Sequence, residues 1–143
     1  MADAFDGAQV AVQISDDGRF EVTMQQPGML RPLRTAELSD GTLRFLMWAV
    51  ALLTPRPPPL MVLNEPETSL HPDLLPALGA LIARASRETQ LIVVSHAMRL
   101  VAAIEDAAPA DACQRIALEK SLGETVAQCH GACDAPQWHW PQR

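Results

Sequence analysis

With 143 residues, nearly half of them apolar, the chain is long enough to fold as one domain spanning residues 1–143 around a sizeable core. A net charge of −6 argues against broad contact with a phosphate backbone, so nucleic acid is not indicated as a partner of this chain. No apolar stretch reaches membrane-spanning length and the N-terminus lacks a signal-peptide pattern, which gives a cytoplasmic protein as the expectation.

Taken in chain order, residues 8–15 and 19–25 both alternate apolar with polar positions around Asp16-Asp17-Gly18. Val10, Val12 and Ile14 mark one arm and Phe20, Val22 and Met24 the other, so the spacing predicts a β-hairpin. A loop with Pro27, Gly28 and Pro32 leads to Glu37-Leu38-Ser39-Asp40-Gly41-Thr42. Leu43, Leu46, Met47 and Val50 then recur as on a mostly buried helix, with Ser39 as its natural N-cap. The proline-rich segment 55–59 sustains neither a helix nor a central strand and reads as a stiff connector.

The connector opens into the apolar run Leu60-Met61-Val62-Leu63, which ends in Asn64-Glu65-Pro66-Glu67. Between residues 72 and 87, Leu74, Leu75, Leu78, Leu81, Ile82 and Ala85 fall at helical spacing, and Pro76 fits that helix only within its first turn. A second run, Leu91-Ile92-Val93-Val94, ends in Ser95-His96. The unit is therefore β-α-β, with parallel strands, a right-handed crossover and helices expected over both faces of the sheet. In such a sheet reactive groups gather beyond the carboxyl ends of the strands, which is where Glu65 and His96 fall. After Ile104 a loop leads to residues 114–119 and 124–128, a second hairpin turning near 121–123.

Cys113, Cys129 and Cys133 are odd in number and form no disulfide framework, so reduced thiols are expected. Cys129-His130, Cys133 and His139 match no familiar C-x2-C zinc spacing. The final Trp138-His139-Trp140-Pro141 carries no usable periodicity.

These segments together resemble the C-terminal half of an ABC-type ATPase, in particular the compact AAA/ABC ATPases related to SMC and RecF heads. Leu38-Ser39-Asp40-Gly41-Thr42 resembles the LSGGQ signature, residues 60–65 the Walker B strand, residues 68–73 the D-loop, and Val94-Ser95-His96 the switch-histidine strand. Their order carries the resemblance, over residues 37–104. The implied fold class is α/β, a P-loop NTPase-like (ABC ATPase head) C-terminal lobe with a parallel β-α-β core and flanking β-hairpins.

The resemblance implies roles residue by residue. Ser39 and Gly41 take the signature positions, where a helix N-terminus meets the γ-phosphate of ATP bound by an opposing subunit, although Ser39 serves equally as a plain N-cap. Glu65 takes the place of the carboxylate that polarises the attacking water, and His96 that of the switch histidine. Ser69, His71 and Asp73 lie in the D-loop, whose family role is contact across a dimer; helix capping accounts for them as well. The implied cofactor is ATP with Mg2+, in a completed site only.

Two departures set this chain apart. Asn64 stands where the pattern has the aspartate that holds Mg2+ through water, and a neutral amide weakens that hold on a hard cation. The 143 residues also contain no G-x-x-x-x-G-K followed by Ser or Thr, and the only lysine, Lys120, follows no glycine loop. The chain thus reads as the second lobe of a split core, competent for ATP hydrolysis only with P-loop material from a partner and by homo- or heterodimerisation. A non-catalytic interaction module derived from such an ATPase is the other reading. A metal-dependent hydrolase with Glu65, His71 and His96 as ligands lacks any H-E-x-x-H spacing to support it.

Overall fold

The first hairpin pairs β1 (Gln9–Ile14) with β2 (Phe20–Gln25) in antiparallel register, Val12 opposite Val22 and Ile14 opposite Phe20. The short β3 (Leu33–Arg34) adds to the free edge of β2. This is a computed structural model, and it describes residues 4–5, 7–14, 17–109, 112–121 and 123–129. A 3-10 turn, Thr35–Glu37, then feeds α1 (Asp40–Leu52), capped at Ser39 as the sequence predicts.

The central unit is the expected β-α-β. β4 (Leu60–Asn64) pairs in parallel with β5 (Gln90–Val94), with Leu63 beside Val93 and Asn64 beside Val94. The crossover is a 3-10 turn, Pro72–Leu74, followed by α2 (Leu75–Ala85). Its start is set by proline chemistry. Pro76 lies in the first turn of α2, where its missing N–H is no loss, while Pro72 opens the 3-10 turn. α3 (Met98–Ala107) follows β5 directly and packs along α2 so closely that a Cβ on Gly79 would lie 2.7 Å from Ala103 Cβ.

One core joins these elements. Phe45 and Leu52 of α1, Leu63 of β4, Leu75, Leu78 and Ile82 of α2 and Leu100 of α3 are all buried in it. Phe5 closes it with an edge-on ring contact to Phe45, centroids 5.4 Å apart.

The sheet departs from expectation in one respect. Among the described residues, helices cover only one of its faces. Leu63 is fully buried, whereas Leu60, Val62, Ile92 and Val94, which point the other way, are exposed, Val62 by 59%. Apolar residues fill both faces of these strands, so the runs are continuous in sequence even though burial alternates along them.

The chain divides into two compact units, Met1–Ala108 and Pro109–Arg143. Within the second, β6 (Ile116–Ser121) and β7 (Glu124–Cys129) form an antiparallel hairpin, displaced two residues from the predicted first arm. Gly123 occupies its turn at φ +90, a conformation that glycine adopts at no steric cost.

Candidate active site

The site builds outward from the carboxyl ends of β4 and β5. The ladder runs one residue beyond the strand, because the Glu65 amide donates to the Val94 carbonyl at 2.8 Å. That bond fixes the Glu65 backbone at the rim of the sheet. Glu65 then turns into the left-handed region at φ 46, and Ser69 does so again at φ 64. Neither is glycine, and a conformation of this kind costs a side-chain-bearing residue on the order of 1–3 kcal/mol, which the surrounding bonds must offset. Two overlapping turns hold the loop: Thr68 N–H donates to Glu65 C=O and Leu70 N–H to Glu67 C=O, both at 3.0 Å.

The turn brings the predicted pair together. Glu65 Oε1 lies 3.9 Å from His96 Nδ1, both side chains being more than half exposed at the end of the sheet. Asn64 is exposed beside them, one residue earlier on β4. A carboxylate and an imidazole at this separation, open to solvent, can hold a water between them.

A third side chain, Glu67, meets the segment that carries His96. Its Oε1 accepts from Ser95 Oγ at 2.7 Å, from the His96 amide at 3.1 Å and from the Ala97 amide at 3.3 Å. The side chain is 8% exposed and lies 3.6 Å from His96 Nδ1. Burial alone pushes its carboxyl pKa up, but the Ser95 hydroxyl and the backbone amides together outweigh that and hold it below the usual carboxylate value. Sequence shows only the need it fills: Ala97, the N-cap of α3, has no side chain able to cap, so the first amides need an acceptor from elsewhere.

The signature-like segment sits against the same loop. A Cβ on Gly41 would lie 2.8 Å from the Ser69 carbonyl oxygen, so only a glycine allows α1 this approach. Ser39 Oγ accepts from the Thr42 amide at 3.2 Å, which is the capping role. His71 likewise caps the 3-10 turn, its Nδ1 accepting from the Asp73 amide, and Asp73 pairs with Arg99 of α3 at 3.3 Å. Ser69, His71 and Asp73 are all exposed.

Among the described residues no three His, Cys, Asp or Glu side chains gather to hold a metal ion, which leaves the Glu65, His71 and His96 ligand set without support. Asn64 offers a neutral amide, and Glu67 commits Oε1 to three donors. This donor set does not fit a resident Mg2+ centre built by the chain itself. The Cys129, His130, Cys133 and His139 side chains lie outside the described residues, and no helix among those described is long and apolar enough to cross a membrane.

A parallel β-α-β core with carboxylate and imidazole at the strand ends, a glycine-tipped helix packed on the intervening loop and flanking antiparallel hairpins is the fold of an ABC-type ATPase head, a P-loop NTPase-like architecture. The family model described as "AAA domain, putative AbiEii toxin, Type IV TA system" matches residues 3–102, and the chain belongs to that family. Among solved structures it is similar to an SMC ATPase studied for ATP-driven dimerization and DNA-stimulated activation, with 16% identity and a TM-score of 0.68 over 91% of this chain and 78% of that one. It is also similar to the Smc head of Pyrococcus furiosus with an extended coiled coil, bound to the C-terminal domain of ScpA: 18% identity, TM-score 0.67, 90% of this chain and 32% of that one. The SMC head of Thermotoga maritima matches at 21% identity and a TM-score of 0.60, over 90% of this chain and 43% of that one. The chain thus spans less than half the length of the latter two. No curated protein matches it.

Proposed function

We infer that this chain is the C-terminal lobe of an ABC-type ATPase, which binds and hydrolyses ATP with Mg2+ when joined to P-loop material from another chain or segment and dimerised head to head. The observation that carries the reading is the 3.9 Å approach of Glu65 to His96 at the carboxyl ends of two parallel strands. In the completed site Glu65 accepts the proton of the attacking water, and His96 donates to the γ-phosphate. Ser39 and the amides behind Gly41 open α1 toward the ATP of the opposing head, and Ser69, His71 and Asp73 face that head. Similar SMC heads described with ATP-driven dimerization, or with ScpA bound, support a partner-dependent machine.

Asn64 favours a second reading, a non-catalytic interaction module of the same descent, because the strand end lacks the charge that would hold Mg2+ through water. Calorimetric titration of Mg-ATP separates the two. For the first reading, binding and turnover are expected only when the chain is mixed with a P-loop-bearing half from a related ATPase. Silence in the mixture, with complex formation verified by ultracentrifugation, establishes the interaction module.

A further inference from the structure

Glu67 joins two loops that meet only at the end of the sheet. It sits two residues beyond Glu65, and its Oε1 is the common acceptor for a hydroxyl and two consecutive amides of the segment 95–97 that carries His96. Ser95 Oγ closes the arrangement, since it donates to Glu67 and also accepts from the Ala97 amide at 3.1 Å. The second oxygen, Oε2, is buried with no hydrogen-bond partner. A buried carboxylate in this state holds its place through Oε1 alone, and charge-assisted bonds of this kind are about twice as strong as neutral ones. The carboxylate also lies at the N-terminal mouth of α3, where the helix dipole favours negative charge and Ala97 supplies no cap of its own.

We propose that Glu67 is a positioning residue that ties the loop bearing Glu65 to the loop bearing His96 and thereby fixes the separation of the two. This rests on the ATPase reading for its consequence, but the tie itself is a property of the chain alone. Without it, the described polar contacts between the two loops reduce to the 3.9 Å approach of His96 to Glu65 itself, beside the Glu65 amide bond to Val94 at the sheet rim. The strained backbone at Glu65 then has little to hold its side chain toward the imidazole.

The tie is tested first on the full chain by amide hydrogen exchange. In Glu67→Ala, exchange at the His96 and Ala97 amides should rise at least about tenfold, while core amides such as Ile82 stay unchanged. Glu67→Gln keeps one acceptor oxygen and should restore much of the protection. Ser95→Ala should loosen the same two amides, which keeps the proposal testable if Glu67→Ala fails to fold. Unchanged exchange in both Glu67→Ala and Ser95→Ala overturns the tie. In the complex with a P-loop half, Glu67→Ala should lower kcat about tenfold or more with KM for ATP little changed, and Glu67→Gln should recover part of the loss. Equal kcat in wild type and Glu67→Ala overturns the positioning role. A wild-type complex without turnover defeats the ATPase reading, while the exchange result still decides the tie.

Discussion

At the residue scale, the candidate site turns on Glu65, whose backbone is strained and whose side chain is half exposed and meets only His96 among the described residues. Glu65 is held by its amide and by the turn it enters, so its carboxylate can be replaced without disturbing the loop. Glu65→Gln should therefore leave ATP binding by the reconstituted complex within about threefold of wild type while cutting hydrolysis by about 10²–10⁴, the usual contribution of a positioned base. Calorimetry and phosphate release measured on the same preparation check this, and unchanged turnover would remove Glu65 from the chemistry. The strand-end positions of Glu65 and His96 were legible in the sequence because each follows an apolar run. Glu67 was not, because its partners lie 28 to 30 residues away and no local pattern connects them.

At the element scale, two contacts decide how helices meet their neighbours. α2 and α3 approach through Gly79, where a Cβ would stand 2.7 Å from Ala103 Cβ and 2.9 Å from the Ala103 carbonyl carbon. Gly79→Ala gains about 1 kcal/mol in helix propensity, but forcing α3 away from a packed core costs about 1–3 kcal/mol. Net destabilisation is expected, visible as a lower urea midpoint with an unchanged slope; a raised midpoint would mean that α3 moves freely.

The turn before α1 is governed by charge. Glu37 accepts two bonds from the Arg31 guanidinium and one from the Arg34 amide, which pull its carboxyl pKa from 4.5 down to about 2. A folded-state pKa below the unfolded one adds stability above pH 4.5, and that stability is lost as pH falls toward 2. Glu37→Gln should lower Tm slightly at pH 7, by less at high salt, and by nothing near pH 2. Thermal melts across that range check the sign.

The elements themselves were largely readable. Both hairpins, the span of α1 with its Ser39 cap and the β-α-β core follow from periodicity and turn residues, but α1 buries Phe45, Ala49 and Leu52 and leaves Met47 and Val50, two of the residues expected to be buried, exposed. The start of α2 after a 3-10 turn was not, because Pro72 and Pro76 each suit a helix start and only packing of Leu74 and Leu75 into the core decides between them.

At the scale of the whole molecule, the open face of the sheet is the feature that sequence could not foretell. An apolar run reads the same whether its second face is covered by this chain or by another, since periodicity reports chemistry and not the partner. Parallel strands are ordinarily covered on both faces. On the proposed reading of a split head, Leu60, Val62, Ile92 and Val94 are the exposed apolar surface that a P-loop half would cover. Burying a side chain of this size contributes about 1.5–3 kcal/mol, and 1.4 kcal/mol is tenfold in affinity. Val62→Lys combined with Ile92→Lys should weaken the complex with the P-loop half by about 10²–10⁴ while leaving thermal unfolding of the chain alone within a few degrees. Sedimentation equilibrium on the two-component mixture measures the first and calorimetry the second. Undiminished affinity would show that the P-loop half docks elsewhere, and unfolding of the doubly substituted chain would mean that the exposed face supports this fold by itself.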